Sequence, residues 1–401
     1  MIIQNPPIVG FENKTQRKKK AKTVSATEII RTSKLFEFYV KKCWPIHRLF
    51  AKNKYAKRCK NCAASEKMIS LNHKNICEKC LVYQPDQNVK NKKNELELNQ
   101  ILSDYQGKGK NNYDALVLYS GGKDSTYLIR RIQTEFPKLR LLAYTLDNGF
   151  MSPIAKQNIN DLLPQLGVDH VFVKPHENFY KNLFRYTITH LNAEGGYGTV
   201  DFSDGEFMLD TARKIAAEKK IPLLLCGYSK YQVQNGLHLN HFESPREKEI
   251  SDRTETANLK LSDIFQEKSD RDLWWHGSKY NPHDVARLIF PLYAWDIEED
   301  EIKSKVKEWG LMNKKNQSPI VTNHLLIPLI GVVDVHQLGY SSFEMEFSRM
   351  IREGKADRRE WQPIFEFLEY TAKTGLFLKP TVVQLLEQLN LNLTDVGVKF
   401  K

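Results

Sequence analysis

Ala115-Leu-Val-Leu-Tyr-Ser-Gly-Gly-Lys-Asp-Ser125 is the stretch that decides how this chain folds. Ala115 to Tyr119 is a short apolar run, as expected of a strand buried on both faces. Ser120 to Ser125 is a tight polar turn, and Thr126 to Phe136 has helical spacing. Gly121 and Gly122 allow a sharp turn and a close approach of backbone to an anion. The helix that follows offers free N–H groups and the positive end of its dipole. Ser120 and Ser125 add hydroxyl donors, and Lys123 adds a point charge. Asp124 does not bind phosphate directly; it serves as a Mg²⁺ ligand or anchors the loop backbone. The spacing is neither that of a Walker A loop nor that of the dinucleotide fingerprint.

Strand–helix alternation continues from there. Leu139 to Leu146 reads as a second strand, Pro153 to Leu166 as a helix closed by Gly167, and Val168 to Val173 as a third strand. Phe207 to Lys220 is a long helix before a strand at Ile221 to Cys226. This pattern predicts an α/β fold with a doubly wound parallel sheet and right-handed crossovers. Ligands of such sheets sit at the carboxyl ends of the strands. Asp147-Asn148-Gly149 and Gly227-Tyr228-Ser229 occupy two such positions, although each also reads as a plain turn or loop.

Before the sheet, Cys59-x-x-Cys62 and Cys77-x-x-Cys80 form two knuckles whose four thiolates can close on one ion. Zn²⁺ is the expected occupant of this closed, structural four-cysteine ribbon; an iron–sulfur cluster is the rival. Cys43 and Cys226 lack partner spacing and read as packing residues. Of the net charge of +12, most lies in the first 110 residues, and the remainder is close to neutral. That basic leader could meet nucleic acid or an acidic partner, or simply be solvated. The longest apolar stretch, Leu325 to Val333, is interrupted by Pro328, so no membrane span is expected. Met1 to Lys20 lacks an apolar signal core, which predicts a cytoplasmic protein.

Five segments follow: a basic extension (1–50), the zinc ribbon (51–90), the nucleotide-binding core (91–230), a polar insertion or lid (231–290) and a mainly helical C-terminal region (291–401). Helices are predicted there over Glu298 to Trp309, Ser342 to Glu353, Arg359 to Thr374 and Pro380 to Leu389.

Ser120-Gly-Gly-Lys-Asp-Ser125 resembles the PP-loop of the ATP pyrophosphatase superfamily, with its adenine nucleotide alpha hydrolase-like fold. The resemblance implies that the chain cleaves ATP between the α and β phosphates and passes AMP to a substrate oxygen. It implies that Ser120 to Ser125, Asp147, Asn148 and Gly227 bind ATP with Mg²⁺, and that Lys123 and Asp124 are catalytic. Ser318-Pro-Ile-Val-Thr-Asn323, Ile327-Pro-Leu-Ile-Gly331, Tyr340-Ser-Ser-Phe-Glu-Met-Glu-Phe347 and Ile351 to Trp361 resemble the N-acetyl sugar amidotransferases of lipopolysaccharide O-antigen and nonulosonic acid biosynthesis. That family converts an acetamido sugar, free or nucleotide-linked, to an acetamidino sugar. It takes ammonia from a glutaminase subunit with a cyclase-like companion. No Cys–His–Glu glutaminase triad is legible here, so an outside nitrogen donor is expected, and nucleic acid is not the expected substrate.

Within that tail, Glu344, Glu346, Arg349 and Arg352 fall on one predicted helix. Glu346 and Arg349 share a face, suited to sugar hydroxyls or to an exposed salt-bridged surface. Asn323 and Ser341 are further substrate candidates. His283, His324 and His336 are available as bases or as structural histidines. The second reading is a PP-loop tRNA-modifying enzyme, thiolase- or lysidine synthetase-like. A thiolase would ordinarily need more cysteines than Cys226 in its catalytic half.

Overall fold

The computed structural model describes residues 26–84, 92–311 and 324–401. Five strands form the central sheet: β1 (Ala115–Leu118), β2 (Leu141–Leu146), β3 (Asp169–Val173), β4 (Leu223–Leu225) and β7 (Arg287–Ile289). A separate two-stranded hairpin joins β5 (Glu255–Thr256) to β6 (Leu259–Lys260). The central order is β3-β2-β1-β4-β7, and every pairing is parallel. All residues of β1 and β2 are buried, as helices on both faces of a parallel sheet require. From β1 the chain winds outward to β3, then crosses back to place β4 on the other side of β1. That reversal opens a crevice beyond the carboxyl ends of β1 and β4.

The helices obey their sequence signals. Lys123–Glu135 starts directly after the glycine turn. Pro153–Leu166 begins with a Ser152 cap, whose hydroxyl accepts from the Ala155 N–H at 3.1 Å, and ends at Gly167 in the left-handed region. β7 lies beyond the 91–230 stretch assigned to the core. The chain leaves the sheet after β4 and returns to it at residue 287. The intervening insertion is fastened to the Phe202–Lys219 helix by buried ions. Arg213 binds Asp210 at 2.6 Å and Glu249 at 2.7 Å, while Arg253 binds Asp210 at 2.9 Å and Glu206 at 2.6 Å. Removing one member of such a set strands a buried charge, so this insertion is a fixed wall.

The C-terminal region consists of helices Ile327–Gln337, Glu344–Arg352, Arg358–Thr374 and Lys379–Gln388. The first is apolar nearly all round and buried on all sides. One hydrophobic core runs from Leu98 to Val398, so this region and the sheet share an interior. At the other end, Ala26–Phe38, a π-helical turn Tyr39–Cys43 and Trp44–Phe50 make one helical rod. It lies on the Arg358–Thr374 helix through Val40, Trp44 and Phe367. Among the described residues, no helix is long and apolar enough to cross a membrane.

Candidate active site

The turn after β1 is closed by its own serines. The Ser125 hydroxyl accepts from the Ser120 N–H at 3.3 Å and donates to the Gly122 carbonyl at 3.2 Å; the Ser120 hydroxyl accepts from the Gly122 N–H at 3.3 Å. Gly121 has φ +71°, and a Cβ there would stand 2.8 Å from both the Ala155 carbonyl oxygen and Ile159 Cγ1. Glycine is thus required by backbone conformation and by packing against the Pro153–Leu166 helix. Asn158 also donates to the Gly121 carbonyl at 3.2 Å. No side chain caps the Lys123–Glu135 helix at Gly122. The first N–H groups of that helix therefore present an anion site at the mouth of the crevice.

Lys123 crosses this mouth, its Nζ 3.0 Å from Asp124 Oδ2 and 3.5 Å from Glu299 Oε1. Burial pulls the ammonium down, but the two carboxylates outweigh it and hold Lys123 above its ordinary value. Beside the loop, Asp147 takes Lys156 at 2.8 Å and the Gly149 N–H at 3.0 Å. Asn148 donates to Asp204 at 2.7 Å and lies 3.2 Å from His324 Nε2. Gly227 backs onto the loop helix: an added Cβ would lie 3.8 Å from the Asp124 carbonyl carbon. The fold therefore brings the loop, Asp147, Asn148 and Gly227 together along one edge.

The tail residues divide. Glu346 faces the loop. Burial pushes its carboxyl up to about 7; the charges of Asp201, Glu299 and Asp124 add to this, and Lys123 opposes it. On its other side Glu346 raises the phenols of Tyr197 and Tyr231, each already raised chiefly by burial. Those rings line a cavity of about 210 Å³ together with Asp201, Tyr228, Gln232 and Gln234. Two walls are single π-helical turns, Tyr197–Asp201 and Gln232–Gly236, a wide-turn geometry frequent at functional sites. Arg349 holds one wall, its guanidinium 5.4 Å from the Tyr231 ring centroid and donating to Gln234 at 3.1 Å. It also pairs with Glu353 at 2.6 Å.

Glu344 and Arg352 point elsewhere. The Glu344 carboxylate is fully buried and takes the Arg58 guanidinium at 2.6 and 3.1 Å. Arg352 lies against the cysteines: burial lowers its pKa, and the sulfurs of Cys62, Cys80 and Cys77, Cys62 foremost, more than reverse that. Ser341 is buried. Its neighbour Ser342 bonds Asp334, which also takes the Gly196 N–H at 2.7 Å and so fixes the turn before Tyr197. Asn323 lies outside the described residues. Of the histidines, His336 is bonded to the Ala372 carbonyl. His324 joins the site, 3.5 Å from Asp201; burial lowers it, but Asp201 and Asp204 raise it above its ordinary value. Glu299, Asp201, Asp204, Tyr197 and Tyr231 carry no motif that sequence reasoning could find. Glu299 shows in the sequence only as one acid in a helix's first turn.

The four clustered cysteines converge, with sulfurs within 4.8 Å of one another, Cys59 and Cys80 at 3.8 Å and Cys62 and Cys77 at 3.6 Å. An ion with bonds of about 2.3 Å at the centre of a tetrahedron sets its sulfurs about 3.8 Å apart. A four-iron cubane would spread them to about 6 Å. The donor set thus fits a single tetrahedral ion. Ile351 packs into the module and Arg58, beside Cys59, reaches Glu344. The cysteine module is therefore seated on the helix that carries Glu346.

No protein-family model matches the chain, and no curated protein matches its sequence. Among solved structures, it is similar to the U34-tRNA thiolase NcsA from Methanococcus maripaludis, which carries a 4Fe-4S cluster. Identity there is 15%, covering 84% of this chain and 91% of that one, with a TM-score of 0.35. It is also similar to NMN synthetase from Francisella tularensis, at 12% identity, covering 72% and 93%, with a TM-score of 0.34. Both likenesses are weak over the whole chain, and the architecture is defined by its own strand order.

Proposed function

We propose that the chain is an ATP-dependent enzyme of the PP-loop type that turns the acetamido group of an N-acetyl sugar into an acetamidino group. The observation that carries this reading is Glu346. Its half-buried carboxyl stands between the phosphate loop and a cavity of aromatic rings and amides, and desolvation pushes it up to about 7. A carboxylate so placed can take a proton near neutral pH. Aromatic faces and side-chain amides suit the apolar faces and polar edges of a sugar ring.

In this reading the loop N–H groups and Lys123 hold the β and γ phosphates. The acetamido oxygen attacks the α-phosphorus, the bond to the β-phosphate oxygen breaks, and pyrophosphate leaves. Ammonia then attacks the amide carbon, the C–O bond breaks, and AMP leaves. Glu346 accepts the proton shed by the attacking nitrogen. Asp124, Glu299 and Glu346 act together on Lys123, so an incoming triphosphate meets an excess of carboxylate. Mg²⁺ held by Asp124 would offset that charge. Zn²⁺ is the proposed occupant of the four-cysteine site, in a structural role. Ammonia would come from a separate glutaminase with a cyclase-like companion.

A sulfur-transferring tRNA enzyme is the weaker reading. Cys226 is buried and pushed up to about 12 by that burial, which leaves no reactive thiolate there at neutral pH. The deciding experiment supplies labelled ATP, ammonium and an N-acetyl sugar. AMP, pyrophosphate and a sugar product about one mass unit lighter are expected. Release of ADP and phosphate would overturn the adenylation chemistry. AMP formation without change to any acetamido sugar would overturn the substrate.

A further inference from the structure

The helical rod of residues 26–50 has two apolar faces, and one of them is covered. Val40 and Trp44, with Phe36 and Tyr39, pack on Phe367. Leu35, Phe38, Ile46 and Leu49 form a second stripe at helical spacing, with Lys42 in the intervening turn. This stripe is open to solvent: Phe38 is 58% exposed, Ile46 66%, Leu49 59% and Phe50, at the rod's end, 85%. Exposed apolar residues scattered singly need no explanation, but a contiguous stripe marks an interaction surface. Arg31, Lys34, Lys41, Lys42 and Lys52 are exposed around it, and Glu37 is the sole acidic residue between positions 29 and 65.

We propose that this face docks the protein peripherally on an anionic lipid surface. The apolar side chains would enter the headgroup boundary, and the lysines would meet the lipid charges. Apolar burial combined with a polybasic patch is the two-part signal that makes such docking stable. Two other occupants fit less well. A nucleic-acid strand could stack bases on Phe38 and Phe50, but it would leave the aliphatic Leu35, Ile46 and Leu49 without a partner. A second copy joined by a two-fold axis would set the same lysines against one another. The inference does not depend on the reaction proposed above.

The test is co-sedimentation of the full chain with vesicles of phosphatidylcholine containing phosphatidylglycerol, and of phosphatidylcholine alone. Binding to the anionic vesicles is expected to be at least about tenfold tighter and to weaken with salt. Phe38→Glu with Phe50→Glu should cost at least about tenfold in that binding, with unchanged metal content as the check on folding. Lys41→Glu with Lys42→Glu should lower binding to anionic vesicles alone. Equal binding to both vesicles, or to neither, would overturn the proposal. So would a dimer, or retention of tRNA in a gel shift, that the phenylalanine variants abolish.

Discussion

Arg58 and Lys123 each stand among several carboxylates, and the two places differ in what surrounds them. Arg58 faces Glu344 and Glu369 with side-chain exposures of 1% and less. Lys123 faces Asp124 and Glu299 with exposures of 31%, 43% and 36%. The first cluster is a rivet. Its charges cannot be solvated, so each depends on the others staying in place. With two carboxylates on one guanidinium, burial pushes Glu369 up to about 7; Arg58 opposes the shift and Glu344 adds to it. The second cluster is reachable by solvent, and its ion pairs hold weakly. An incoming anion can take Lys123 from its partners at small cost. Structural and chemical use of the same residue types is thus decided by access to water.

The sharpest way to break this contrast is at the rivet. Arg58→Leu leaves Glu344 buried without its guanidinium and Glu369 with the more distant Lys373, 3.9 Å away, and should cost about 3–5 kcal/mol of stability, read from urea denaturation. A loss below about 1 kcal/mol would mean that the cluster is not the anchor described here. At the open cluster the effect should fall on rate instead. Lys123→Ala is expected to lower kcat by ~10²–10³ while stability moves by no more than about 1 kcal/mol. Comparable losses in both would erase the distinction.

Glu346→Gln gives the smallest effect and sharpens the sign. The folded-state carboxyl, at about 7, lies above its ordinary value, so the folded chain holds that proton more tightly than the unfolded one. The resulting stability is fully present below the unfolded value and is lost as pH rises through about 7. Wild type should therefore weaken relative to Glu346→Gln by on the order of 2 kcal/mol across that window. Glu369 titrates in both proteins and cancels in the difference. The acid limb of kcat/KM near 7 should vanish with the same substitution. A pH–rate profile unchanged in the glutamine variant would remove Glu346 as the base.

How legible these features are in the sequence follows from the range of the interactions. The phosphate loop and the cysteine knuckles are written in adjacent residues, and both assemble where spacing predicts. Four of the five central strands show as apolar runs. Arg287–Ile289 is three residues long, begins where the polar insertion ends and runs straight into apolar Phe290 to Trp295, so no period marks it as a strand. Ile327–Gln337 is apolar nearly all round, so a helical stripe has nothing to contrast with. Spacing along Glu344–Arg352 fixes which side chains share a face, but not what each face meets. Glu344 and Arg352 are grouped with Glu346 only because they share its helix; two and six residues away they point to other faces, where Arg58 and the cysteines engage them. Arg58 itself reads as one basic residue in a basic leader.

The partners of the N-terminal segment lie far along the chain: Arg58 bonds residues 286 and 311 positions later, and Trp44 bonds one 322 positions later. During synthesis from the N-terminus, this segment leaves the ribosome long before its docking helices exist. The knuckles can gather an ion early, because their ligands span only residues 59 to 80. Their attachment must wait for residue 369. The segment is therefore seated only after the Arg358–Thr374 helix has been made, and the helix carrying Glu346 gains its support at that point.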